Sequence, residues 1–164
     1  MNARKAIREV LLRALLLAGA AAGLGLAANA VRPQRLPWVG DWARHVEARA
    51  RQEKIPLATL AALRQAVAQG TAVVLDARPM ADYAAGHIPG AAALPQDQVA
   101  DFLAVRLAAY DRRQALVTYC AGAECDEALQ LALLLRVQGY TNLALFAGGL
   151  REWRETGGAV EAGP

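Results

Sequence analysis

From residue 55 onward two kinds of apolar pattern alternate along the chain, and this alternation restricts the fold more than any other feature. "TAVVLDAR", "AAALP", "QALVTYC" and "NLALFAG" are short apolar runs of strand length. "IPLATLAALRQAVAQG" has helical spacing, starting after Pro56 and ending at Gly70. "RPMADYAAGHIPGA" reads as a loop with a short helix, punctuated at Pro79, Gly86 and Pro89-Gly90. "DQVADFLAVRLAAY", "DEALQLALLLRVQGY" and "GLREWRETG" are helical, with Gly139 as a C-cap. Strands separated by helices cannot pair as tight hairpins. They predict an α/β fold with a mainly parallel sheet covered on both faces. No internal repeat interrupts the pattern.

The N-terminal third is of another kind. Arg4, Lys5, Arg8 and Arg13 precede an uncharged run of 18 residues, Ala14 to Val31. As a helix this run spans about 27 Å, close to the thickness of a hydrocarbon core. Arg13 and Arg32 sit at its two ends, where their side chains can snorkel. Residues 1–32 are therefore expected to form a single-pass membrane anchor through 14–31. The basic residues before the run place the N-terminus in the cytoplasm and the remainder on the periplasmic or outer side. The competing readings are an export signal, since "ANA" at 28–30 has the small-x-small form of a cleavage site, giving a secreted chain cut near Ala30, and a buried helix of a soluble protein.

Pro33 and Pro37 break any continuing helix, and Trp38 and Trp42 suit a headgroup level or packing on the following domain. "DWARHVEARARQEK" is a short charged helix whose polarity suits a linker better than a core. His45 within it is expected to be exposed. The expected organisation is thus an anchor at 1–32, a juxtamembrane linker at 33–54 and a folded domain at 55–160.

Charge argues against nucleic acid as a partner. The net charge of +3 hides an asymmetry: residues 1–54 hold 10 basic and 4 acidic side chains, whereas 55–164 hold 8 and 11. A nucleic-acid surface would put its basic residues on the folded domain.

The chemistry concentrates in "TYCAGAECDEA", residues 118–128, which contains both cysteines of the chain. In an open parallel sheet, ligands bind beyond the carboxyl ends of the strands. Cys120 ends a strand there, and the small-residue loop runs into a helix N-terminus. Loop amides and the helix dipole favour a thiolate at such a place. Asp126 or Glu127 is positioned to cap the helix. The plain alternative is that Cys120 is a small buried apolar residue.

Three stretches together resemble the rhodanese (sulfurtransferase-like) superfamily: "LDARPMADYAAGHIPGA" (75–91), "VTYCAGAEC" (117–125) and "GYTNLALFAGGLREWRETG" (139–157). The resemblance covers about residues 55–160. It implies a five-stranded α/β domain whose nucleophile, Cys120, takes a sulfane sulfur as a persulfide and passes it to a thiophilic acceptor. It implies a cradle of backbone amides along Ala121, Gly122, Ala123, Glu124 and Cys125. Asp76, Arg78, His87, Gly90, Gly149 and Trp153 fall on signature positions that are mainly architectural. Arg78 is expected in a buried ion pair that braces the site, and His87 in a structural hydrogen bond. The implied partners are a small-molecule sulfur donor and a thiol acceptor, with no resident cofactor.

Two departures from the family pattern stand out. The loop holds Glu124 and no Lys or Arg, so it should repel an anionic donor such as thiosulfate and oppose thiolate formation. The sixth position after Cys120 is Asp126, which denies a phosphate the arginine that the related Cys-x5-Arg phosphatases use. Cys125 admits three readings: a resolving thiol, one half of a structural or regulatory disulfide, or a small residue filling the helix start. Two cysteines without a nearby histidine do not complete a zinc shell. Alongside sulfur transfer stand two alternatives, a non-catalytic binding or redox-sensing module and thiol–disulfide exchange alone.

Overall fold

A computed structural model describes residues 3–32, 44–95 and 110–163, and the chain divides into two units, Met1–Gly40 and Asp41–Pro164. In the first unit, helix α1 (Ala3–Val31) contains one stretch, Ile7–Val31, long and apolar enough to cross a membrane. A signal sequence near the N-terminus can be as long and as apolar. Leu15, Leu17 and Leu24 along it are exposed.

In the second unit the elements follow in the order α2 (His45–Gln52), α3 (Leu60–Gln69), β1 (Val73–Asp76), α4 (Met80–Ala85), β2 (Ala92–Ala93), β3 (Leu116–Tyr119), α5 (Glu127–Val137), β4 (Leu143–Phe146) and α6 (Gly149–Glu155). The expected helix over 97–110 falls almost wholly outside the described residues, as do Pro33, Pro37, Trp38 and Trp42. Local chemistry sets the boundaries. Thr59 accepts a hydrogen bond from the Ala62 amide and starts α3, and Gly70 ends it in the left-handed conformation.

The strands pair in parallel in the order β2-β1-β3-β4. The sheet has four strands, where the family resemblance implied five. At the fifth position, beyond β4, a single residue, Leu57, bridges Leu145. Leu145 donates to the Pro56 carbonyl and accepts from the Ala58 amide, and Thr59 then begins the helix. Pro56 has no amide proton to extend the ladder, so pairing stops after one residue.

Side chains alternate between two cores across the sheet. Leu75, Leu116, Cys120, Leu143 and Leu145 share one cluster with Leu129, Leu131 and Leu135 of α5. Val74, Val117, Tyr119 and Phe146 share the other with Leu63 of α3 and Leu150 and Trp153 of α6. This period of two puts Tyr119 and Cys120, adjacent in sequence, into different cores.

The stretch expected as a linker contributes to this domain. Val46 and Ala50 of α2 are fully buried in the α5-side cluster, with Ile55 beside them in that core. They lie four residues apart and so share one face of an otherwise charged helix. Arg136 of α5 also pairs with Glu53, just past the end of α2. His45 is exposed.

Candidate functional site

The site lies where β1 and β3 end. β3 leads directly into Cys120, which is 3% exposed. The loop then turns back on itself, the Cys125 amide donating to the Gly122 carbonyl at 3.1 Å. The start of α6 fastens this loop from the side. The Leu150 amide donates to the Cys120 carbonyl at 2.8 Å, and the Arg151 amide to the Ala121 carbonyl at 3.0 Å. So close an approach needs Gly149. Its φ is +62°, and a Cβ there would lie 2.5 Å from the Cys120 carbonyl oxygen and 2.7 Å from the Gly122 nitrogen.

The curled loop joins Cys120 and Cys125 in a disulfide, with their Cα atoms 6.1 Å apart. Glu127, the first residue of α5, directs its carboxylate at this pair. Its Oε2 lies 2.6 Å from Cys125 Sγ and 3.5 Å from Cys120 Sγ. Asp126 or Glu127 was expected to cap this helix; Asp126 holds the N-cap position and Glu127 the first turn, but no side-chain cap bond forms. Asp126 instead pairs with Arg49 of α2, and Glu127 faces the sulfurs. Its position two residues after Cys125, at the helix start, was the available signal.

Two sulfurs and a carboxylate oxygen lying within 4.8 Å of one another could hold a metal ion. Glu127, a third donor beside the two cysteines, carries no local mark of that role in the sequence beyond its place after Cys125. In the disulfide form neither sulfur is a thiolate, and only reduction would free all three donors.

Helix α6 brings a cation beside the loop. Arg151 lies over Gly122, its guanidinium within 3.0 Å of where a Cβ would be, and forms an ion pair with Glu124. The hydrogen bond from Arg151 holds the Glu124 carboxyl below its usual value, and the same bond raises Arg151. The acid expected to repel an anionic donor is thus half of a surface pair. Nothing local to the loop announces this contact, because the partners are 27 residues apart. Beside the pair opens a cleft of about 420 Å³ lined by Arg78, Ala121, Leu150, Arg151, Arg154 and Glu155.

Arg78 and Asp76 form the expected buried ion pair. Arg78 Nε lies 2.9 Å from Asp76 Oδ1, and Nη2 lies 2.6 Å from Oδ2. A further bond runs from Nη2 to the Gly86 carbonyl at 2.8 Å. Burial opposes the charge on Arg78, but the hydrogen bonds and charge of Asp76 outweigh it and raise the guanidinium pKa. Tyr119 completes the brace. Its hydroxyl donates to Asp76 Oδ2 and accepts from the Ile88 amide at 3.1 Å. Burial, reinforced by the Asp76 carboxylate, pushes the Tyr119 phenol far above its usual range.

His87 makes the structural contacts expected of it. Its ring stacks on Tyr83 with centroids 3.8 Å apart, and Nδ1 lies 3.0 Å from the Tyr83 carbonyl. Glu161, unmarked in the sequence reading, exchanges two backbone hydrogen bonds with His87 and accepts from the Gly90 amide.

Comparison with known proteins agrees with this geometry. The Rhodanese-like domain family matches residues 59–156. A thiosulfate:glutathione sulfurtransferase of Homo sapiens is 33% identical over 110 residues, covering 61% of this chain and 94% of that protein. An HTH-type transcriptional regulator of Mycobacterium tuberculosis, Rv0324, is 36% identical over 94 residues, or 57% of this chain; the match spans only 39% of the regulator's length. Among solved structures, a human single-domain sulfurtransferase superposes with a TM-score of 0.55 at 33% identity, covering 61% of this chain and 96% of that one. With three signature stretches meeting around one strand-end cysteine, in a parallel sheet of matching fold, the chain belongs to the rhodanese-like domain family.

Proposed function

We propose that the protein carries sulfane sulfur on Cys120, that Cys125 clears it, and that α1 holds the domain at a membrane. The observation that carries this reading is the closed pair. The family's strand-end cysteine is bonded to a second cysteine at the last position of the same loop. In the reduced chain the Cys120 thiolate attacks the outer sulfur of a donor. The donor's remaining fragment leaves with the electron pair, and Cys120 becomes a persulfide. Cys125 then attacks Cys120 Sγ and expels hydrosulfide, leaving the disulfide, which a thiol reductant reopens. Sulfur transfer suits the relatives whose names record that activity. A small thiol takes the sulfur from Cys120 directly when it reaches the persulfide before Cys125 does, and the donor enters beside Arg151 and Arg154.

A chain that works through a disulfide is suited to an oxidising compartment. This favours the topology with the N-terminus in the cytoplasm and the domain outside, by the charge order around α1. Cleavage near Ala30 would release the same domain.

The same disulfide favours a second reading, thiol–disulfide exchange without sulfur transfer. One experiment separates the two. The whole chain, reduced and then exposed to inorganic polysulfide, is digested and mass-mapped at Cys120 and Cys125. Sulfur transfer gives Cys120 the added mass of one sulfur atom, which persists in Cys125→Ser. A closed pair that never gains sulfur, and an unmodified Cys120 in Cys125→Ser, would sink the sulfur-carrier reading and leave exchange.

A further inference from the structure

We propose that reducing the Cys120–Cys125 pair opens a binding site for a thiophilic divalent cation, zinc, whose ligands are the two cysteine sulfurs and the Glu127 carboxylate. The site uses the residues of the sulfur-carrier reading without resting on it, since zinc binding needs only that both sulfurs be free. The donor set suits this ion. Zinc binds thiolate and carboxylate ligands in a tetrahedron, with bonds of about 2.3 Å to sulfur and about 2.0–2.2 Å to oxygen. Magnesium and calcium take oxygen ligands throughout, and here sulfur outnumbers oxygen among the donors.

The backbone sets the donor spacing, and that part of the geometry does not depend on the disulfide. The Cys120 and Cys125 Cα atoms are 6.1 Å apart. Hydrogen bonds away from the sulfurs hold both residues: the Leu150 amide donates to the Cys120 carbonyl, and the Cys125 amide to the Gly122 carbonyl. Once the sulfur–sulfur bond is broken, rotation about χ1 can part the two sulfurs to about 3.8 Å, the edge that two zinc–sulfur bonds subtend at the tetrahedral angle. The matching edge from sulfur to carboxylate oxygen is about 3.6 Å. Glu127 Oε2 lies 3.5 Å from Cys120 Sγ. Its shorter contact, with Cys125 Sγ, belongs to the closed pair and lengthens when that sulfur turns away from Cys120.

Two further observations point to a cation. Glu127 is half-buried and, among the described residues, makes no ion pair, whereas Asp126 pairs with Arg49 and Glu124 with Arg151. A carboxylate aimed at a buried sulfur is costly to keep there without a cation to share. Asp126, between Cys125 and Glu127 in the chain, also keeps one carboxylate oxygen, Oδ1, buried without a hydrogen-bond partner among the described residues. Such an acceptor calls for a donor. Three protein ligands leave the fourth zinc position to a water, which brings one. A zinc ion on Cys120 engages the electron pair with which that sulfur would attack a donor, so metal and carried sulfur compete for one atom.

The test uses the full-length chain, reduced and then freed of reductant without air. Zinc is titrated against a chromophoric chelator, and cobalt replaces it in a parallel sample as a spectroscopic probe. The reduced wild type should bind one zinc ion per chain. Its cobalt form should show thiolate-to-metal charge transfer and the strong visible bands of a four-coordinate ion. The disulfide form should bind neither metal. Cys125→Ser should lose much of the charge-transfer band. Glu127→Gln should keep that band yet weaken zinc at least as much as losing a group that merely orients a ligand, about tenfold to a hundredfold. A reduced wild type that binds no zinc, a disulfide form that binds it equally well, or undiminished affinity in Glu127→Gln overturns the proposal. The comparison of reduced with oxidised wild type needs no substitution, so it decides even where a variant fails to fold. Sulfur loading of zinc-free Cys120 from inorganic polysulfide is mass-mapped in parallel. Its absence sinks the sulfur-carrier reading alone, and the titration still decides the zinc site.

Discussion

Two arginine–carboxylate pairs flank the cleft, and they are opposites in every respect except chemistry. Arg78 and Asp76 have side chains 8% and 0% exposed, share a multidentate contact and are joined by Tyr119. Arg151 and Glu124 are each 52% exposed and held by a single contact. A buried pair cannot be dismantled cheaply, because water is not there to take either charge. An exposed pair is screened by salt and can exchange its partner for a passing ion. The same two functional groups therefore brace the strand ends on one side and offer an exchangeable cation on the other.

The contrast is sharpest under substitution. Arg78→Ala leaves Asp76 buried without its cation and should lower stability by about 3–5 kcal/mol in denaturant unfolding. A loss below about 1 kcal/mol would show that Tyr119 and the backbone suffice, and the contrast would fail. Gly149→Ala should come next. The left-handed backbone alone costs about 1–3 kcal/mol with a side chain, and the Cβ overlap with Cys120 and Gly122 also displaces the loop. Its disulfide should then be reduced by dithiothreitol faster than in the wild type.

Tyr119→Phe should cost about 1–3 kcal/mol near neutrality, since it strips a buried carboxylate and the Ile88 amide of a partner. It also carries a pH signature. The folded phenol titrates far above the unfolded one, so the unfolded chain ionises first. The stability that this raised pKa contributes is complete below about pH 10, the ordinary tyrosine value, and is lost as pH rises beyond it. Melting temperature measured from pH 8 to 11 should fall less steeply in Tyr119→Phe than in the wild type. On the exposed side, Glu124→Gln should leave the unfolding midpoint unchanged. It frees Arg151, and sulfur loading from thiosulfate should rise several-fold at low salt, with the gain fading at high salt. A stability loss as large as that of Tyr119→Phe would break the comparison.

What the sequence disclosed follows the range of the interactions. The four strand runs, the end of α3 at Gly70 and the short helix after Pro79 are set by neighbouring residues and were legible, whereas α3 starts at the Thr59 cap rather than directly after Pro56. A buried ion pair at Arg78 was implied by the family resemblance, and the structure supplies its partner, Asp76, two residues away. Arg151 over the loop and Arg49 on Asp126 join distant segments, and only the folded chain brings them together. The core role of α2 was there in outline, as Val46 and Ala50 at one-turn spacing, but the surrounding charges hid it. Glu127 was read by its position on the helix rather than by its distance to the sulfurs.

The one-residue bridge at Leu57 bears on how the domain can be released from α1. A version cut at the start of the family match, residue 59, would lose Leu57 together with Val46, Ala50 and Ile55. The outer edge of β4 would then present free backbone donors and acceptors beside bared leucines. Such an edge is a template for another copy of itself. A soluble form trimmed there should self-associate, whereas one that begins ahead of His45 keeps the edge shielded and the domain as separate molecules.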